Sequence, residues 1–82
     1  MSAIREYDVV RVRSLDGCHG CAGLGARVPV IGDMGTVVSL LSADDQPDRF
    51  MVECVMPDAT TAWIASFPEH ALECIESSDI AP

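Results

Sequence analysis

A chain of 82 residues has room for one core and none for a deep cleft between subdomains. Thirteen acidic side chains against five arginines and no lysine give a formal charge of -8, a field that repels phosphate backbones and argues against nucleic acid as a partner. The apolar fraction is 49% but aromatics are only 5%, so the apolar surface comes from Val, Leu, Ile, Ala, Met and Cys, more of it than a small monomer readily hides.

The N-terminal stretch Met1-Ser-Ala-Ile-Arg-Glu-Tyr-Asp carries charges where a signal peptide needs an apolar run, and no window reaches the length of a membrane span. The expectation is a cytoplasmic protein with no membrane partner. Thiols stay reduced in that compartment, so the four cysteines read as small buried hydrophobes or metal ligands before disulfides.

In chain order, Tyr7 to Arg13 is a first strand with Val10 and Val12 on one face and Arg11 and Arg13 on the other. Ser14 to Gly32 is a long loop with glycines at 17, 20, 23, 25 and 32 and with the cluster Cys18-His19-Gly20-Cys21. Its apolar residues Leu24, Val28, Val30 and Ile31 must fold back onto the domain or meet another molecule. Gly32-Asp33-Met34-Gly35 is a turn feeding a second strand, Thr36 to Ser42, because glycine meets the backbone demands of a turn and the β-branched run after it suits a sheet. Ala43 to Asp48 is a polar hairpin tip with Pro47. The third strand, Arg49 to Met56, alternates Phe50, Val52 and Cys54 against Met51, Glu53 and Val55. Pro57 to Thr60 turns the chain into a fourth strand, Thr61 to Phe67. Pro68-Glu69-His70-Ala71 reads as a 3₁₀ turn, with proline at its permissive first position, and Leu72 to Ile75 as a short fifth strand. Order is expected over about residues 4–76, with 77–82 a frayed tail.

That element order is that of an all-β, five-stranded SH3-like barrel with a long first loop, formed as a single domain over 1–82. The residues Tyr7-Asp8-Val9-Val10, Gly32 to Val38, Phe50 to Val55 and Ala71-Leu72 resemble an uncharacterised bacterial family of small SH3-like barrels, whose pattern runs YDVV, GxxGTVV, YxVEFVD and a closing short strand. The likeness spans about residues 7–75, and it implies a barrel fold and no catalytic residues to carry over. This chain differs in its longer, cysteine-bearing first loop and in having Cys54 where an aromatic is usual.

Among candidate chemistries, Cys18, His19 and Cys21 stand closest to a metal site, since two thiolates three positions apart can fill two corners of a zinc tetrahedron. One C-x-x-C is half a site, and the rest would have to come from His70, Cys54 or Cys74, the last two on apolar strands where thiols pack as small hydrophobes. His70 between Glu69 and Glu73 reads as a solvated turn, and Asp44, Asp45 and Asp48 lack the loop and closing glutamate of a calcium site. Arg11 and Arg13 are expected to pair with Glu53 or its neighbours. Trp63 could floor a peptide groove, but readers of proline peptides line that groove with several aromatics, so packing is the stronger reading.

No nucleophile with a base and no complete ligand set emerges, and the expectation is a non-catalytic interaction module that needs no cofactor, with a small zinc protein or an SH3-like peptide reader as alternatives. A barrel this small has room inside for one set of strand residues. The other set is expected to pack against a second copy in a homodimer or tetramer, or against another protein, through Met51, Val55, Trp63, Phe67 and Leu24.

Overall fold

The computed structural model describes residues 4–20 and 27–77. Its elements are β1 (Val9–Val12), β2 (His19–Gly20), β3 (Met34–Ala43), β4 (Gln46–Val55), β5 (Thr61–Pro68), a 3₁₀ turn (Glu69–Ala71) and β6 (Leu72–Glu76), with no α-helix among the described residues. The strands form one antiparallel sheet in the order β2-β5-β4-β3-β1-β6. The all-β expectation holds, as does the 3₁₀ turn before the last strand. A sixth strand, β2, lies inside what the sequence marks as unstructured loop. At two residues it is too short to show a periodicity, and only its pairing with β5 (His19 opposite Ser66, Gly20 opposite Ala65) makes it a strand.

The sheet is rolled. Strands β5 and β6 stand second and sixth in the order, so flat they would lie four spacings apart, roughly 19 Å. Yet only four steps of chain join Pro68 to Leu72, about 14 Å if fully extended and less through a 3₁₀ turn. The connection closes only if the sheet curls β6 back toward the end of β5. Among the described residues no ladder joins β2 to β6, so the sheet stays open along those two edges. The all-β part of the expectation is thus met, while the closed barrel is not seen among the described residues.

The curl encloses one core. Val10 and Val12 of β1, Val37 of β3, Phe50 and Val52 of β4, Ala65 and Phe67 of β5, and Ala71 are buried almost completely, joined by Ile4, Cys54, Ala62, Trp63 and Leu72. The alternation expected in β4 is realised, with Phe50, Val52 and Cys54 inward and Val55 exposed. Gly35 is buried in β3 because a Cβ there would stand 2.7 Å from both the carbonyl oxygen of Glu53 and Cγ1 of Val52. Its role is close approach of β3 to β4. Gly32 one turn earlier has φ +99 with open space around it, so there the backbone conformation is what calls for glycine.

Register corrects the expected outer face. Cys54 pairs with Trp63, Val52 with Ala65 and Phe50 with Phe67, which puts Trp63 and Phe67 on the inner face with the core. Trp63 is 2% exposed and Phe67 fully buried, their rings meeting edge to face at 5.7 Å. Met51 pairs with Ser66 on the opposite face. Trp63 and Met51 therefore cannot share one interface, and Trp63 floors no surface groove.

Candidate functional site

Residues 27–34, the described end of the first loop, are hydrogen-bonded to two strands, and Asp33 is at their centre. The amide of Gly32 donates to the carbonyl of Val12 and the amide of Val12 to the carbonyl of Asp33, both at 2.8 Å, which moors the turn to β1. The amide of Arg27 donates to the carbonyl of Ala62 at 2.9 Å, which moors the other end to β5.

The Asp33 carboxylate ties the two moorings together. Its Oδ2 accepts from Arg27 Nη1 at 2.6 Å, from the Val30 amide at 3.0 Å and from the Trp63 indole Nε1 at 2.8 Å, while Oδ1 accepts from Arg27 Nη2 at 3.1 Å. The two-pronged match of guanidinium to carboxylate fixes an orientation as well as a charge. Arg27 holds the Asp33 carboxyl below the usual carboxylate range, helped by the Val30 and Trp63 hydrogen bonds, and Asp33 in turn pushes the Arg27 pKa up. Cys54, opposite Trp63 across the ladder, is pushed the other way: burial and the negative charge of Asp33 raise its thiol pKa. That thiol is a poor nucleophile at neutral pH.

This anchoring leaves the loop's apolar side chains in water. Val28 is 74% exposed, Ile31 65%, Val30 48% and Met34 45%. The backbone folds back onto the domain, as the loop's composition requires, but these side chains do not. A second area with exposed apolar groups lies at the far end of the long hairpin, where Leu40, Leu41 and Pro47 line a shallow depression together with Ser42, Gln46 and Arg49. Leu40 and Leu41 are each about two-fifths exposed. Arg49 has its head turned away, donating to the carbonyls of Gly17 at 2.6 Å and Ser66 at 3.0 Å and to the Ser66 hydroxyl.

The other candidate residues are dispersed. Cys18 is half-buried, with its thiol pKa raised by that burial, and exposed His19 lies in β2. Cys21 and Leu24 lie outside the described residues. Among the described residues no three metal-binding side chains gather. Exposed Cys74 on β6 donates to Asp8 Oδ2 at 3.7 Å, and buried Cys54 sits in the Trp63 neighbourhood. His70 Nε2 stands 3.4 Å from Asp16 Oδ2 with both side chains in solvent, as a turn face predicts. Arg11 pairs with Glu73 of β6 at 3.4 Å rather than with Glu53, because β1 lies beside β6 and not beside β4. Glu53 instead accepts from the Thr61 hydroxyl at 2.7 Å. Of the expected interface, Met51 remains half-buried and Val55 half-exposed.

The sequence places Asp33 in a turn and gives neither it nor Arg27 a role in a site. The available signal was an aspartate inside a Gly-x-x-Gly turn with the loop's lone arginine six residues before it. Comparison with protein-family models, with curated proteins and with solved structures finds no match to this chain.

Proposed function

We propose that the chain is a non-catalytic protein-interaction module that associates with copies of itself. One observation carries this: four apolar side chains, Val28, Val30, Ile31 and Met34, stand in water on a segment that Asp33 holds rigid from three sides. Exposed apolar groups on a floppy loop can collapse onto the nearest surface, whereas here the backbone hydrogen bonds to β1 and β5 hold them outward. A segment ordered before contact loses little conformational freedom on binding, so more of the buried apolar area appears as affinity. An interface of ordinary size buries about 800 Å² per partner, so this segment would form the centre of the contact and not the whole of it.

The charge of -8 per chain acts against association mainly at the rim, where physiological salt screens it over about 8 Å. Light scattering coupled to gel filtration tests the proposal. The expected mass at tens of micromolar is a multiple of 8.8 kDa, and Ile31→Asp should lower it without changing the far-ultraviolet circular dichroism. A wild-type protein that stays at the monomer mass at hundreds of micromolar overturns it.

A further inference from the structure

We infer that copies of this chain associate head to tail, the Val28–Ile31 loop of one seated on the Leu40, Leu41 and Pro47 depression of the next. The inference rests on the self-association proposed above and specifies its geometry. The two apolar areas mark opposite ends of one element: Met34 opens β3 and Leu41 lies seven residues along it, about 24 Å at strand rise. The loop is moored to β1 and β5, so it cannot travel that distance to cover the depression on its own molecule. A two-fold contact through either area alone would match it with its own copy and leave the other in water. A head-to-tail contact buries one of each at every junction, and covers both on every chain once the contacts close into a ring or run on as a filament.

Charge separates the same alternatives. The hairpin end carries Asp44, Asp45 and Asp48, and the nearby Arg49 turns its head back to Gly17 and Ser66. Joining two hairpin ends would crowd six aspartates together. At the loop end Arg27 and Asp33 neutralise one another, and Arg11 and Arg13 stand exposed on either side of the Val12 that binds Gly32 and Asp33. Arg11 is matched by Glu73, whereas Arg13 has no ion-pair partner among the described residues and favours an acidic neighbour over a second loop end. The uncharged stretch Val28-Pro29-Val30-Ile31 meets Leu40, Leu41 and Pro47, with the arginine side toward the aspartates.

Mixing two variants tests this geometry. Ile31→Asp spoils the loop and leaves the depression, and Leu41→Asp does the reverse; both positions are exposed, and Val28→Asp and Pro47→Asp serve as replacements should either fail to fold. Head-to-tail assembly requires each variant alone to be monomeric and an equimolar mixture to form a dimer of one copy of each, twice the 8.8 kDa chain mass. If Ile31→Asp is monomeric, Leu41→Asp still assembles and the mixture contains no mixed dimer, the head-to-tail geometry is wrong and self-association stands. If both variants keep the wild-type mass, neither surface is used and the inference fails. A monomeric wild type removes the parent proposal as well.

Discussion

Replacing Asp33 with alanine removes the acceptor of an indole N–H whose residue is 2% exposed. A buried donor left without a partner costs about 1–3 kcal/mol, so roughly 2 kcal/mol is expected from Trp63 alone. At about 0.05–0.15 kcal/mol per residue a domain of this size holds some 4–12 kcal/mol in all, so the loss is a sizeable share. It should lower Tm by about 8–16 °C, at roughly 4–8 °C per kcal/mol for a small domain. Urea unfolding followed by circular dichroism, for Asp33→Ala, Trp63→Phe and the double variant, isolates the contact. Phenylalanine keeps the ring and drops the donor, so Asp33→Ala should cost clearly less in the Trp63→Phe background. Equal costs in the two backgrounds would refute the role given to the indole hydrogen bond. Acid provides an independent check. The folded Asp33 carboxyl lies below its unfolded value because of Arg27, so its contribution is full above an unfolded pKa of about 3.9 and disappears as pH falls through the folded value. Asp33→Asn should therefore flatten the pH dependence of stability below about pH 4.

Two glycines should fail for different reasons. Gly35→Ala sets a methyl 2.7 Å from a backbone oxygen that cannot step aside, with a cost of about 1–3 kcal/mol or more, rising further for Gly35→Val. Gly32→Ala meets no neighbour but must hold φ +99, for roughly 1–2 kcal/mol, and thermal melts of the variants check both. Metal analysis of protein purified without chelators examines the alternative use of Cys18, His19 and Cys21: an interaction module carries no tightly held zinc, and one zinc per chain, lost in a Cys18→Ser/Cys21→Ser variant, would replace the proposal made here.

The elements themselves were written in local sequence. Alternation along 50–55 and proline ahead of Glu69-His70-Ala71 each depend on neighbours a few residues apart, and the structure realises both; the turn expected over Gly32 to Gly35 is shorter, since β3 already begins at Met34 and Gly35 pairs with Val10 as a strand residue. Val10 and Val12 face inward as their spacing implies. Period-two alternation, however, sorts a strand into two sets without saying which set turns inward when both are apolar. In β5 that choice fell to the pairing of Cys54 with Trp63, and it sent Trp63 and Phe67 into the core rather than to a surface. The candidate site was hidden for the same reason. Asp33 and Trp63 stand 30 residues apart, and no local pattern announces a carboxylate whose partners come from its own loop and from a strand on the far side of β4 and β3. Only the rolled sheet brings β5 alongside that turn, and only that meeting decides that Val28, Val30 and Ile31 are held outward instead of folding into the core.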